Sequence, residues 1–221
     1  MSISVHSFEV HHRDVWAIAV PASVAFITEP VAGIIDTAVI GQLGDAGLLG
    51  GLSLGAAGFS VIFALAFFLR FGTAGLTAQA IGARDPLDGL LHMARAMVAA
   101  AVLGVLLLAL SYPIYLGFAA ALAPPPDAAG AFADYMGVRM WSVPFVLINF
   151  VLLGWFYGRA DARTGMWLQI LINVINIVLS VWFVQGLGWG VPGVAWATVV
   201  GQAVAAVAGG AIAIRHYGGI G

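Results

Sequence analysis

Residues 28–40 read Thr28-Glu29-Pro30-Val31-Ala32-Gly33-Ile34-Ile35-Asp36-Thr37-Ala38-Val39-Ile40, the second half of an apolar run that begins at Val15. A run of this length is long enough to cross a bilayer as a helix, which takes about 20 residues. It also holds two carboxylates and a proline, which a plain membrane anchor does not need. A charged Asp near the centre of a spanning helix costs about 2.5–3.5 kcal/mol on insertion scales. Ionisable side chains at such positions are therefore candidate functional groups. Glu29 and Asp36 lie seven residues apart, two helical turns, so they project from nearly the same face. A plainer reading makes Asp36 a helix-end residue reaching the headgroups; Glu29, deeper in the run, fits that less well.

The rest of the chain asks for the same solvent. Of its 221 residues, 62% are hydrophobic and 8% charged, against about 25% charged in soluble domains. The apolar runs are continuous rather than alternating, which excludes barrel strands and leaves helices. The expected fold class is an all-α membrane protein, a bundle of six transmembrane helices. The spans are placed at Val15–Ile40, Ala46 to beyond Phe68, Leu90–Ala121, Tyr135–Tyr157, Met166–Val184 and Val191–Ile214. Residues 1–14 carry Glu9, Arg13 and Asp14 and lead into a run too long for a secretory signal. They are expected to form a cytoplasmic segment, residues 15–214 the bundle, and residues 215–221 a short cytoplasmic end.

Arginine placement orients the bundle. The chain has eight Arg and no Lys. Arg13, Arg84, Arg95, Arg159, Arg163 and Arg215 flank one side, Arg139 falls towards the other, and Arg70 sits near the inner end of the second span. The excess on one side puts both termini in the cytoplasm of a multi-pass protein, expected in the cell inner membrane. Pro124-Pro125-Pro126-Asp127 breaks the chain on the outer side, and Asp127–Arg139 is expected to form a short interfacial helix feeding the fourth span. Glycines at 51, 55, 58, 201, 209 and 210 are read as close-packing positions. Pro21 and Pro30 each remove a backbone hydrogen bond within the first span. The bend they make is read equally well as static or as a moving part.

A second polar set lies in the fifth span. Gln169, Asn173, Asn176 and Ser180 stand at offsets of 0, 4, 7 and 11, one narrow stripe at about 100° per residue. The stripe is about 16 Å long. Lipid does not solvate such side chains, so they face protein or water. Interhelical hydrogen bonds account for one or two of them; four in register suggest a hydrated pocket. Thr198 and Gln202 share a face of the sixth span.

Several classes are excluded or disfavoured. There is no phosphate-binding loop, no metalloprotease helix motif and no nucleophile elbow. His11-His12 precedes the first span and is a poor metal candidate; no cysteine exists to ligate a metal. No basic patch fits nucleic acid. A carboxylate held away from water favours its neutral form, so it can take H⁺ or Na⁺ from one side and release it on the other. Secondary transport follows, with no catalytic residue and no cofactor beyond the coupling ion.

Specific motifs point the same way. Pro30 through Asp36-Thr37-Ala38-Val39-Ile40-Gly41 resembles the helix-one signature of multidrug and toxic compound extrusion (MATE) transporters. Gly72-Thr-Ala-Gly-Leu-Thr-Ala-Gln-Ala-Ile-Gly-Ala-Arg-Asp85 resembles the end of their helix two and its cytoplasmic loop, and residues 139–155 are similar to helix four of the DinF-like branch. Asn173-x-x-Asn176 and residues 190–198 match helices five and six. The resemblance covers nearly all of residues 15–214. It implies one six-helix lobe of a twelve-helix fold, in a drug or metabolite antiporter driven by H⁺ or Na⁺. It also implies a cation site at Asp36, Asn176 and Thr198, with helix one bending at Pro21 or Pro30. Glu29 matches no family position and is kept as a candidate ion-coupling residue.

Two departures shape the expectation. Ser180 stands where many relatives carry a second Asp, which favours H⁺ over Na⁺. The sequence ends just after helix six, so the resemblance implies an N-lobe alone: a fragment, a half-transporter, or one half of a homodimer. Its expected partners are membrane lipid, a small organic substrate, and a second six-helix lobe or a second copy, with no nucleic acid. Two other readings stand beside it, a lipid-linked sugar flippase, which needs a more cationic cleft, and a non-transporting structural subunit.

Overall fold

Unbroken apolar runs leave the backbone no partner but itself, and helices are the result. The structure, a computed structural model, describes residues 12–218. Most of the expected cytoplasmic segment 1–14, His11 included, lies outside the described residues, as does the side chain of Glu29. Among the described residues there are helices and no strands: α1 (His12–Gly41), α2 (Ala46–Gly82), α3 (Pro86–Ala109), α4 (Ser111–Leu122), α5 (Ala129–Arg139), α6 (Val143–Gly158), α7 (Ala162–Val181) and α8 (Gly190–Gly218). A 3-10 turn, Met140–Ser142, joins α5 to α6, and a π turn, Trp182–Gly186, ends α7. Among the described residues, six helical segments are long and apolar enough to cross a membrane.

Short aspartate-capped turns precede α2, α3 and α7. The Asp45 carboxylate accepts from the backbone N–H of Gly47 at 2.8 Å, that of Asp85 from Asp88 at 3.0 Å, and that of Asp161 from Thr164 at 3.1 Å. Each satisfies a donor that a helix start leaves unpaired. α2 and α6 end alike. Arg84 and Ala160 both adopt φ 60°, and the following Asp85 and Asp161 N–H groups bond back to Ala80 and Phe156 at 2.9 Å. That is the left-handed helix stop usually given to glycine.

Two expectations on the spans are corrected. The third does not run unbroken from Leu90 to Ala121. It breaks at Leu110 between α3 and α4, because Pro113 cannot donate to the turn before it and restricts the residue preceding it. Residues 129–139 are not an interfacial helix. With α6 they form one 30-residue span, Ala129–Gly158, and Ala131, Phe132, Tyr135 and Met136 are buried. Pro144 removes one bond of the ladder at the junction, and the Ser142 hydroxyl donates to the Arg139 carbonyl at 2.7 Å. Arg139 consequently lies ten residues inside a span rather than at its start.

Glycine seams set the helix spacing. A Cβ at Gly51 would stand 2.5 Å from the Ala131 side chain, and one at Gly55 2.4 Å from the Tyr135 ring, so α2 and α5 touch there. Gly154 and Gly158 do the same between α6 and α2, where a Cβ would meet the Arg70 and Ala74 carbonyl oxygens at 2.4 and 2.6 Å. Gly210, expected in the same role, faces open space. α1 lies along α7 and α7 along α8, while α2 packs on α5 and α6 and α3 on α6. The polar stripe of α7 is thereby turned inward, towards α1 and α8.

Candidate functional site

α1 and α7 run side by side, which brings Asp36 against the end of the α7 stripe. The buried Ser180 hydroxyl donates to Asp36 Oδ1 at 2.7 Å. One turn earlier on α7, Asn176 Nδ2 donates to Thr198 Oγ1 of α8 at 2.8 Å. The Thr198 hydroxyl in turn donates to the Val194 carbonyl of its own helix at 3.3 Å. Asp36, Asn176 and Thr198 all line one cavity of about 280 Å³, bounded by α1, α2, α5, α7 and α8.

The same cavity takes Gln169 and Asn173 from the α7 stripe and Gln202 from α8. Gln202 is held from behind. Asn149 of α6, buried in an otherwise apolar helix, donates through Nδ2 to the Gln202 side-chain oxygen at 2.7 Å and to its carbonyl at 2.9 Å. A smaller cavity of about 80 Å³ adjoins, sharing Arg139, Gln169 and Gln202 and reaching Arg70 and Asn149. Three buried polar atoms in the larger cavity have no protein partner: Asn173 Nδ2, Asn176 Oδ1 and Arg139 Nε. Buried polar groups are normally satisfied, so the cavity is built for polar occupants.

The sequence-predicted residues therefore fall into distinct places. Asp36, Asn176 and Thr198 meet, and Gln169, Asn173 and Gln202 line the space beside them. Ser180, expected among the lining residues, sits behind Asp36 and holds its carboxylate. Pro21 is buried and Pro30 exposed on an α1 that is helical from His12 to Gly41. Arg139, Tyr135 and Phe59 also line the cavity without having been anticipated. Asn149 stood out only as a lone amide in an apolar helix. No group of three or more His, Cys, Asp or Glu able to hold a metal ion occurs among the described residues.

Comparisons with known proteins agree with this architecture. A family model described as MatE matches residues 21–182. DNA damage-inducible protein F of Escherichia coli (strain K12) is 39% identical over 191 residues, 86% of this chain and 41% of that protein. Multidrug export protein MepA of Staphylococcus saprophyticus subsp. saprophyticus is 23% identical over 189 residues, 86% of this chain and 42% of that one. A solved MOP superfamily transporter from Pyrococcus furiosus superposes with a TM-score of 0.83 at 25% identity, covering 89% of this chain and 43% of that chain. The chain thus spans about two-fifths of the length of the relatives it matches.

Proposed function

The chain belongs to the MatE family of multi-pass membrane transporters, and from that premise we propose that it supplies the ion-binding N-lobe of a cation-coupled antiporter exporting drugs or small organic metabolites. The observation that carries this is the convergence of Asp36, Asn176 and Thr198, from three helices, on one cavity inside the spans. The name of the staphylococcal relative, a multidrug export protein, supports the direction of transport. Both termini are placed in the cytoplasm of the cell inner membrane, on the arginine distribution.

The surroundings of Asp36 favour H⁺ over Na⁺. A hard cation needs several oxygen ligands at once. Here Ser180 donates to Asp36, the Thr198 hydroxyl accepts from Asn176 and donates to Val194, and Asn176 Oδ1 is left as a neighbouring oxygen without a protein partner. Asp36 is the only carboxylate on the cavity, among the described residues. A proton needs that carboxylate alone. The flippase reading asks for a cationic cleft, whereas among the described residues this cavity holds one charge of each sign, Asp36 and Arg139. Alternating access needs two bundles moving about the site, so a second six-helix lobe or a second copy of this chain completes the transporter. The test is Asp36→Asn in the complete two-lobe protein, expressed in cells lacking other efflux systems. Loss of efflux with normal membrane expression is the expected result; normal efflux would remove Asp36 from the mechanism.

A further inference from the structure

The cavity that holds Asp36 also holds a guanidinium for which coupling-ion chemistry has no use. Arg139 lines it from the end of α5, ten residues inside the span. No salt bridge joins Asp36 to Arg139. The guanidinium carbon instead lies 5.7 Å from the Phe59 ring centroid and 5.9 Å from that of Phe63. Ring faces attract the charge but do not supply oxygen acceptors for five N–H donors, and Arg139 Nε is buried without a partner. The amides on the same wall add further donors, Asn173 Nδ2 being unpaired as well.

A carboxylate and a guanidinium that form no salt bridge with each other, in one space inside a membrane, make a dipolar receptor. A simple cation gains from Asp36 but meets Arg139, so the two terms oppose. A simple anion meets the reverse. A molecule with a basic nitrogen and an acidic group satisfies both charges together, with its apolar body on Phe59 and Phe63. Arginine suits the acidic end because its planar fork takes a carboxylate through two parallel hydrogen bonds.

We infer that Arg139 is a specificity-determining residue that docks the carboxylate of a small zwitterionic aromatic substrate, whose basic nitrogen occupies the Asp36 side of the cavity. The inference rests on the reading of Asp36 as the cation-binding carboxylate. It adds a preference for zwitterions over cations of the same shape, and assigns that preference to one residue. A cavity of about 280 Å³ fits a substrate of a single aromatic ring with two short arms.

The test compares 4-(aminomethyl)benzoate with its methyl ester, a cation of the same body, by ligand-observed NMR titration of the purified full chain in detergent micelles. The unaltered chain is expected to bind the zwitterion about tenfold more tightly than the ester, the scale of one charge-assisted pair. Arg139→Gln is expected to bring that ratio to about one while leaving ester binding as strong or stronger. An unchanged ratio in Arg139→Gln, or a preference of the unaltered chain for the ester, overturns the inference. Should the Gln variant not fold, Arg139→Lys keeps the charge without the fork and is expected to retain only part of the preference; an ester preference there overturns it too. Asp36→Asn separates the two readings. Loss of both probes supports Asp36 as the cation site, whereas retained ester binding counts against that site and leaves the Arg139 ratio as its own test.

Discussion

Replacing Gly154 by Ala adds one methyl group where α6 crosses α2. Its Cβ would lie 2.4 Å from the Arg70 carbonyl oxygen, 3.2 Å from the carbonyl carbon and 3.1 Å from Thr73 Cβ. Backbone cannot swing aside as a side chain does, so the helices must separate by about 1 Å, at an overpacking cost of roughly 1–3 kcal/mol. Helix propensity works the other way and returns about 1 kcal/mol. Gly72→Ala on α2 isolates that second effect, because a Cβ there meets nothing within 4 Å. The difference between the variants should therefore be about 1–3 kcal/mol, or roughly 2–12 °C in melting temperature for a chain of this size. Thermal unfolding in micelles, followed by tryptophan fluorescence, reads it directly. If Gly154→Ala melts at or above Gly72→Ala, the two helices are not in backbone contact at this seam and the reasoning fails.

Three further outcomes are expected. Ser180→Ala removes the hydroxyl that holds Asp36 and should lower stability by about 1 kcal/mol. In the two-lobe transporter it should weaken efflux without abolishing it, and wild-type efflux would show that the bond does not position the carboxylate. Asn149→Leu strips both donated bonds from Gln202 and should cost about 1 kcal/mol; an unchanged melting temperature would mean that Gln202 finds another donor. Proteoliposomes of the two-lobe protein without sodium should show a substrate-driven pH change, and a strict sodium requirement would overturn the preference for H⁺.

Much of the site was legible because its parts are periodic or costly. Asp36 stood out by the expense of a charge within an apolar run. The α7 stripe stood out because four polar side chains repeat at helical spacing, and a stripe can face only one way. Arg139 was hidden for a local reason. Residues 129–135 read Ala-Gly-Ala-Phe-Ala-Asp-Tyr, a weakly apolar stretch that looks interfacial. What holds it inside the span is the smooth side of α2 at Gly51 and Gly55, a tertiary contact that leaves no mark on hydropathy. The link between Asn149 and Gln202 bridges 53 residues, so no periodicity announces it. Gly154 and Gly158 carry the same small-x-x-x-small spacing as Gly51 and Gly55, and were readable from sequence on that ground.

The C-terminal end of α1 is tied to the end of α7 twice. Ser180 holds Asp36 at 2.7 Å, and beyond it Gln185, in the π turn, donates to Gln42 at 2.6 Å. The two anchor points are six residues apart, about 9 Å along the axis. A rod fixed at two points near one end is most rigid at the clamp. Pro21 and Pro30 both lie on the part of α1 away from the clamp, where a missing backbone bond softens the rod. Releasing the Asp36 bond would shorten the clamp to the Gln42–Gln185 contact, so a change at one carboxylate would alter how firmly this end of the helix is held.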